Sequence, residues 1–232
     1  MTPHSEAVNM DCMEYMAQFP DKFFDLAIVD PPYGIGESKR TSYHPNASTI
    51  YKPKKWDNIV PDDKYFEELF RVSGNAIIWG GNYFTLPPMP KWVVWDKIQP
   101  EGIDQSMHEL AWTNIKNVQS KIFRRSPSAD KNCISNGDKR LRIDKMRIHP
   151  TQKPTALYSW LLQNYAKQGD KILDTHLGSG SSRIAAYKMG FDFYSCELDK
   201  EYFDAQNKRF AEATNEPLLQ QIEQAKQSTI FQ

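Results

Sequence analysis

The chain has 232 residues, of which 40% are hydrophobic and 25% are charged, and its 29 basic and 29 acidic side chains give no net charge. This length and composition exclude a disulfide-stapled miniprotein and a disordered low-complexity chain, and the charge balance argues against a protein that coats nucleic acid indiscriminately. The apolar stretches are too short for a transmembrane span or a signal peptide, and three scattered cysteines fit reduced thiols. We therefore expect a soluble cytoplasmic protein with no membrane partner.

Short apolar runs bounded by Asp, Gly, Asn or Pro predict seven strands. In chain order the predicted strands are residues 6–11, 25–30, 75–80, 92–96, 108–113, 171–174 and 191–197. Helical spacing between and after the strands predicts helices at residues 12–19, 62–71, 154–168, 181–189 and 200–210, with a further polar helix at 217–227. Alternating strands and helices are typical of an α/β domain with a largely parallel sheet.

Two long segments, residues 34–56 and 123–148, lack a strand or helix pattern and are rich in polar residues and proline. Residues 121–147 carry nine basic and three acidic side chains, a local net charge of +6. Such a patch is either a solvated loop or the footprint of phosphate binding. We expect one domain over residues 1–232, with a small basic insertion at 123–148. The candidate nucleic-acid-binding residues are Lys39, Arg40, Trp56, Arg124, Arg125, Arg140 and Arg142.

The strongest functional signal directly follows the second predicted strand, where the segment Asp30-Pro31-Pro32-Tyr33 begins a turn. Ligands of open α/β sheets bind at the carboxyl ends of the strands, so an acid and an aromatic ring are well placed here. A proline-rich structural turn is the simpler interpretation. The segment is, however, identical to the catalytic tetrapeptide of amino-methyltransferases that modify adenine N6 or cytosine N4, and this resemblance favours a catalytic role.

The resemblance assigns these residues to a reaction that is chemically demanding. An exocyclic amine on a base is a poor nucleophile, because its lone pair is delocalised into the ring. A carboxylate and a carbonyl that accept its two hydrogens stabilise the tetrahedral nitrogen that develops during methyl transfer, and Asp30 and the Pro31 carbonyl fit these roles. Pro31 and Pro32 stiffen the turn, and Tyr33 is placed to stack on a base flipped out of the duplex.

A second candidate site follows the predicted strand 171–174, where Asp174 precedes the glycine-rich segment 178–180. Small residues there allow a cofactor to approach the backbone closely. A GxG turn after a strand also occurs in NAD-binding folds, but Arg183 replaces the third glycine of GxGxxG, which argues against NAD. Glu197 ends the next predicted strand and suits the hydroxyls of a ribose; capping of the following helix is its alternative role.

Taken together, these motifs resemble the beta class of DNA amino-methyltransferases, which use S-adenosylmethionine to modify adenine N6 or cytosine N4. In that class the catalytic tetrapeptide comes first, a target-recognition segment follows and the cofactor glycine loop comes last, an order that residues 6–210 share. The segment His149-Pro-Thr-Gln-Lys-Pro154 also matches the family's cofactor-side motif. The resemblance implies a Rossmann-like class I methyltransferase fold, with a seven-stranded mostly parallel sheet, helices on both faces and a circularly permuted motif order.

The resemblance also implies a binding site for S-adenosylmethionine. Its residues would be Asp11, Asp30, Thr151, Lys153, Asp174, Gly178, Ser179, Gly180 and Glu197. The family commonly has Pro-Phe after the acid of the glycine loop, whereas Thr175 and His176 stand here, which leaves the local cofactor contacts open. Because no Cys or His lies at metal-ligand spacing, we predict no metal site.

The function that these sequence features indicate is DNA methylation at adenine N6, with relaxed or site-specific recognition. Adenine is preferred because many N4-cytosine enzymes carry Ser in place of Asp30. Cytosine N4 as the target, RNA as the substrate and a non-catalytic nucleic-acid-binding subunit remain open alternatives. DNA is the expected partner, and a homodimer and a cognate endonuclease of a restriction-modification system also stay open. Asn82 and Tyr83 follow another predicted strand at the same edge and are further candidates for the pocket.

Overall fold

The fold is described from a computed structural model over residues 2–39, 52–102, 106–127 and 147–214. These ranges contain five α-helices: α1 (Cys12–Met16), α2 (Asp63–Val72), α3 (Thr155–Tyr165), α4 (Ser181–Lys188) and α5 (Lys200–Thr214). They contain seven strands: β1 (Phe24–Val29), β2 (Ser73–Trp79), β3 (Trp92–Asp96), β4 (His108–Thr113), β5 (Lys121–Arg124), β6 (Lys171–Asp174) and β7 (Asp192–Ser195). The helix predicted at 217–227 lies outside the described residues. No helix within them is long and apolar enough to cross a membrane.

The strands form one sheet in the order β5-β3-β4-β2-β1-β6-β7. Strand β4 runs antiparallel to its neighbours β2 and β3, and the other pairs are parallel. The predicted fold class, a seven-stranded and mostly parallel sheet, is therefore confirmed. Because β1 lies between β2 and β6, the tetrapeptide after β1 and the glycine loop after β6 leave the sheet at the same edge. Ligands of α/β folds bind at such a reversal of strand order.

One of the predicted strands, residues 6–11, is wrong. Within this segment and beside it there are only isolated parallel bridges, from Ser5 to Phe193 of the edge strand β7 and from Val8 to Cys196, the residue after β7. The Asp11 side chain then accepts hydrogen bonds from the Met13 N–H at 2.8 Å and the Glu14 N–H at 3.3 Å. These bonds make Asp11 the N-cap of α1, so the chain turns into a helix before a longer strand can form.

The seventh strand is instead β5, which the sequence did not reveal. It pairs in parallel with β3 at the outer edge of the sheet, and its residues alternate between partly buried and exposed. Phe123 packs on Trp160 with ring centroids 5.5 Å apart, whereas Ile122 is 48% exposed. A four-residue edge strand with basic residues at both ends gives no continuous apolar run, and it therefore carries little sequence signal.

The core lies on both faces of the sheet, because successive residues of a strand point to opposite sides. In β1, Leu26 and Ile28 belong to the apolar cluster that includes the buried residues of α3 and Ala185 and Ala186 of α4. Ala27 and Val29 belong to the other cluster, with buried residues of α1 and α2. Helices therefore cover both faces, as predicted, and the carboxyl edge of the sheet remains for the site.

Candidate active site

The structure places Asp30 at the end of β1 with both carboxylate oxygens hydrogen-bonded. Its Oδ1 accepts a hydrogen bond from the Tyr33 hydroxyl at 2.6 Å, and its Oδ2 accepts one from Lys153 Nζ at 2.6 Å. Burial and the neighbouring Asp30 charge raise the pKa of Tyr33 well above its ordinary value. Tyr33 therefore stays protonated as a donor, and the carboxylate of Asp30 has a defined orientation.

The ring of Tyr33 lies in a tightly shaped space. It stacks on Tyr83 with ring centroids 5.0 Å apart and an interplanar angle of 14°. Gly80 approaches it closely, with a φ of +69°, and a Cβ atom at this position would lie 2.2 Å from Tyr33 Cε1. Only glycine satisfies both the positive φ and this contact. The predicted pocket residues Asn82 and Tyr83 do line the same cavity as Tyr33.

Asp57 holds the turn after the tetrapeptide and was not identified from the sequence. Its Oδ1 accepts hydrogen bonds from the N–H groups of Tyr33 at 2.7 Å and Gly34 at 2.8 Å, and its Oδ2 accepts one from Glu37 N–H at 2.8 Å. Asp57 is 2% exposed. A single buried carboxylate therefore fixes the backbone that carries Tyr33. The sequence feature that could have identified Asp57 is its position as a single acidic residue directly after Trp56 in a basic segment.

Glu109 was also missed, and it lies in the same pocket as Asp30. Lys153 Nζ is 3.0 Å from Glu109 Oε2, and Lys97 Nζ is 2.6 Å from Glu109 Oε1. Burial acts to raise the pKa of Glu109, but the two ammonium groups outweigh it and lower this pKa to about 2. Strand β4 runs antiparallel to β2 and β3, so its beginning, rather than its end, lies at the functional edge. Glu109 is the second residue of β4 and pairs with Trp95 of β3.

These groups surround a cavity of about 390 Å³ at the carboxyl edge of the sheet. A volume of this size is within the range of small-ligand sites. The cavity is lined by the whole tetrapeptide, by residues from β3 and β4, by the turn after β2 and by the 147–153 segment. Its polar and aromatic lining includes Asp30, Tyr33, Trp56, Asp57, Asn82, Tyr83, Trp95, Lys97, His108, Glu109, Arg147, Thr151 and Lys153.

The glycine loop between β6 and α4 contains a buried carboxylate. Asp174 Oδ1 accepts a hydrogen bond from the His176 N–H at 3.0 Å, and its Oδ2 accepts one from Ser182 Oγ at 2.5 Å. Burial raises the pKa of Asp174 to about 7, against the lowering effect of these two donors. Gly178 and Gly180 have positive φ values of 50° and 71°, and Gly180 is the N-cap of α4.

Glu197 faces the same loop from the chain after β7. Its Oε2 accepts a hydrogen bond from the Gly178 N–H at 2.8 Å, and its Oε1 accepts one from the Asp199 N–H at 2.8 Å. Burial raises the pKa of Glu197 above its ordinary value. Each carboxylate oxygen can accept two hydrogen bonds, so Glu197 fixes the glycine loop and still has capacity for hydroxyl donors.

Both predicted cofactor residues of the 149–154 motif line the central cavity, while its histidine packs behind them. Lys153 contacts Asp30, as described, and Thr151 Oγ1 lies 3.1 Å from His149 Nδ1. His149 packs between Trp56 and Tyr202, with centroid distances of 5.0 and 4.3 Å. Burial lowers its pKa to about 3, so His149 is neutral. Among the predicted cofactor residues, Asp11 is engaged in capping α1.

The residues predicted to bind nucleic acid are only partly within the described ranges. Arg40, Arg140 and Arg142 lie outside them. Lys39 ends a short 3₁₀-helix, and Trp56 lines the central cavity. Arg124 is 65% exposed and forms an ion pair of 3.2 Å with Asp96, and the Arg125 carbonyl accepts a hydrogen bond from Trp95 Nε1 at 2.8 Å. No group of three or more His, Cys, Asp or Glu side chains within the described ranges is arranged to hold a metal ion.

Comparison with known proteins connects this geometry to one family. Residues 60–208 match the family model N6_N4_Mtase, described as DNA methylase. The match begins after the tetrapeptide, just before α2, and ends within α5. Among curated relatives, the type II methyltransferase M2.MboI of Moraxella bovis is 24% identical, over 88% of this chain and 86% of its own length.

Solved structures show the same fold across nearly the whole chain. The PvuII DNA methyltransferase, specific for cytosine N4, aligns with a TM-score of 0.57 and 15% identity, over 90% of this chain and 87% of that one. The M1.HpyAVI–SAM complex aligns with a TM-score of 0.53 and 19% identity, over 88% of this chain and 98% of that one. These similarities confirm the class I methyltransferase fold.

Proposed function

The chain belongs to the DNA methylase family, and we propose that it transfers the methyl group of S-adenosylmethionine to N6 of an adenine flipped out of DNA. The observation that carries the proposal is the position of Asp30. It is a carboxylate oriented by two hydrogen bonds at the wall of a cavity large enough for a base. An acid in the first position of the tetrapeptide supports adenine over cytosine as the target base.

The chain has a chemically suitable place for the methyl donor beside the glycine loop. When bound, S-adenosylmethionine supplies an electrophilic methyl group on a positively charged sulfonium. Asp174 is buried and Glu197 is partly buried, and burial raises the pKa values of both carboxylates. A cationic ligand relieves that cost, because an opposite charge favours the ionised carboxylate. In this proposal Asp174 binds the amino-acid portion of the donor and Glu197 binds the ribose hydroxyls.

Asp30 and the Pro31 carbonyl activate the amine of the target base. Each oxygen of Asp30 already accepts one hydrogen bond and can accept a second, so one lone pair on each oxygen remains, and either can accept an amine hydrogen. The Pro31 carbonyl accepts the other hydrogen. These bonds strengthen as the nitrogen becomes tetrahedral and positively charged, and they therefore act mainly on the transition state.

The stacked pair of Tyr33 and Tyr83 provides the aromatic surface for the extruded base. Tyr83 is 47% exposed, so its ring is accessible at the mouth of the cavity, and Tyr33 lies beneath it. A base loses its stacking partners when it leaves the duplex, and an aromatic side chain replaces part of that interaction. Lys39, Trp56, Arg124 and Arg125, together with the basic residues at 128–146, would contact the flanking phosphates.

Identification of the methylated base tests this proposal directly. We would incubate the protein with DNA and S-adenosylmethionine carrying a labelled methyl group, digest the DNA to nucleosides and separate the products by mass spectrometry. Label in N6-methyl-2′-deoxyadenosine supports the proposal. Label in N4-methyl-2′-deoxycytidine would assign the same site to the cytosine reaction, and label only in RNA added as a competitor would show that DNA is not the substrate.

A further inference from the structure

Four side chains of alternating charge cross the wall of the active-site cavity. Asp30 contacts Lys153 at 2.6 Å, Lys153 contacts Glu109 at 3.0 Å, and Glu109 contacts Lys97 at 2.6 Å. Asp30 follows β1, Lys153 precedes α3, Glu109 lies on β4, and Lys97 follows β3. Lys97, Glu109 and Lys153 are thus brought beside Asp30 from other parts of the chain. Of the two carboxylates in this group, the proposed reaction uses only Asp30.

Lys153 is the central member of this group. Its side chain is 3% exposed, and its ammonium lies 5.4 Å from the Trp79 ring centroid and 5.7 Å from that of Tyr33. A buried ammonium needs charged partners to offset its lost hydration. Asp30 and Glu109 are those partners. The position of Lys153 relative to Asp30 therefore depends on Glu109.

We propose that Glu109 is a positioning residue for methyl transfer: it holds the ammonium of Lys153 between two carboxylates and so leaves Asp30 able to accept the amine hydrogen of the target base. This inference rests on the proposed function. Glu109 touches neither reacting atom in it. It acts through Lys153, and Lys97 in turn holds the other oxygen of Glu109.

The reason lies in the number of donors that Lys153 carries. An ammonium has three N–H donors, and one of them is donated to Asp30 Oδ2, while the Tyr33 hydroxyl lies 3.4 Å from the same nitrogen. Glu109 Oε2, 3.0 Å away, draws the ammonium from the other side by charge, without a hydrogen bond between them. Without Glu109, Asp30 is the one remaining carboxylate among the described contacts of Lys153. The ammonium is then free to move towards Asp30 and donate a second hydrogen bond to it, which takes up a lone pair otherwise available to the amine.

The groups around Lys153 define how its charge depends on pH. Burial lowers the pKa of Lys153, but Asp30 and Glu109 outweigh burial and raise it above its ordinary value. The other titratable groups near this cluster are Tyr33, Tyr158 and His149, together with Lys97 on the far side of Glu109. The two tyrosines have raised pKa values and His149 has a lowered one, so these three are neutral near pH 7.

The test compares Glu109→Gln with Glu109→Asp and with a control, Glu68→Gln, on helix α2, where Glu68 accepts hydrogen bonds from Arg71. We expect Glu109→Gln to reduce kcat on the order of 10-fold with little change in KM for DNA or S-adenosylmethionine. Glu109→Asp, which keeps the charge, should recover part of this loss. Because one of the two anions that raise the pKa of Lys153 is removed, activity should also begin to fall at a lower alkaline pH.

Glu109→Gln leaves two ammonium groups without their shared carboxylate, so misfolding is a possible cause of lost activity. The charge-neutral double variant Glu109→Gln/Lys97→Gln separates the two causes. If it folds and binds S-adenosylhomocysteine as the wild type does but keeps the low kcat, the inference is supported. Wild-type kcat in the double variant, or an unchanged kcat and pH profile in Glu109→Gln, would overturn it. If Asp30→Ala retains full activity, the proposed function itself fails, whatever Glu109→Gln does.

Discussion

Two pairs of carboxylates stand at the same edge of the sheet in opposite electrostatic environments. Asp30 and Glu109 share the ammonium of Lys153, and the pKa of Glu109 is lowered to about 2. Asp174 and Glu197 bond to hydroxyl and backbone N–H donors, and burial raises the pKa of Asp174 to about 7. One pair is neutralised by the protein's own cations, whereas the other gains most from a cation that binds from outside.

In the proposed function, this difference separates the catalytic role from cofactor binding in physical terms. A carboxylate whose charge is balanced internally keeps its orientation whether or not a ligand is present, which suits an acceptor that must be preorganised for a transition state. A buried carboxylate with a raised pKa is poised to bind a cationic ligand and to titrate near neutral pH. If the two roles are separate, substitutions at the Asp30–Tyr33 turn should change methyl transfer and leave cofactor binding intact, and substitution of Asp174 should change cofactor binding.

The largest effect is expected for Asp30→Ala. The variant removes the acceptor whose bond to the amine strengthens in the transition state, so kcat should fall about 100-fold or more. The measurement is labelled methyl incorporated into DNA in a single turnover. Binding of S-adenosylhomocysteine should survive, because the glycine loop is untouched. Asp204→Ala, at an exposed ion pair on α5, is the control, and full methylation by Asp30→Ala would return the tetrapeptide to a purely structural role.

A smaller loss is expected for Gly80→Ala. Its Cβ would lie 2.2 Å from the Tyr33 ring, so Tyr33 must move from its place in the aromatic stack. Loss of one stacking contact to the base corresponds to about 1 to 3 kcal/mol, and productive DNA binding should weaken on the order of 10-fold, as measured by kcat/KM. Cofactor binding should not change.

The matched control for this substitution is Gly169→Ala. Gly169 also has a positive φ, of +93°, but an added Cβ there meets no atom within 4 Å. It therefore reproduces the backbone strain without the clash. Equal losses of kcat/KM in the two variants would show that strain alone is responsible. A mispaired target, which is easier to extrude, should partly rescue Gly80→Ala and leave Asp30→Ala inactive.

The smallest effect is the pH dependence of cofactor binding. The folded-state pKa of Asp174, about 7, is raised above the unfolded value of about 3.9. The free protein should therefore lose stability as pH rises from about 4 to about 7. S-adenosylhomocysteine lacks the sulfonium charge but keeps the ammonium of its amino-acid portion. An ammonium that faces Asp174 prefers the ionised carboxylate, so calorimetry should find S-adenosylhomocysteine binding up to about 10-fold tighter at pH 8 than at pH 6.

Two variants show which carboxylate causes that pH dependence. Asp174→Asn should bind the ligand more weakly and with a flat pH profile, because no group at that position titrates. Glu109→Gln should keep the wild-type profile, because the pKa of Glu109 is about 2 and Glu109 stays ionised throughout this range. If wild-type affinity is constant from pH 6 to pH 8, Asp174 does not face a cationic part of the ligand.

Sequence analysis was most successful where the predicted feature depends on neighbouring residues. Asp30 and Tyr33 are three positions apart in one turn, and the structure joins them by a hydrogen bond. The strand before them and the order of motifs along the chain were enough to predict the fold class. The strand predicted at residues 6–11 failed because the Asp11 cap and two isolated bridges replace it.

Asp57 and Glu109 could not be assigned in the same way. Asp57 reaches the Tyr33 N–H across 24 positions of a segment without a regular pattern. Glu109 lies at the beginning of a strand, whereas ligands of parallel sheets bind at the carboxyl ends of the strands. The sequence contains no marker of the antiparallel direction of β4, which is what brings Glu109 to the functional edge.

The sequence by itself determined the α/β alternation and the positions of the Asp30–Tyr33 turn and the glycine loop, because each depends on local spacing and on residue types that lie side by side. Only the tertiary structure decided which charges meet. Lys153, predicted for the cofactor's flank, contacts Asp30 from 123 positions away, and Asp30 and Asp174 differ in whether a cation was brought beside them. Coulombic interactions and desolvation depend on distance and burial in the folded chain, and neither quantity can be read from sequence spacing.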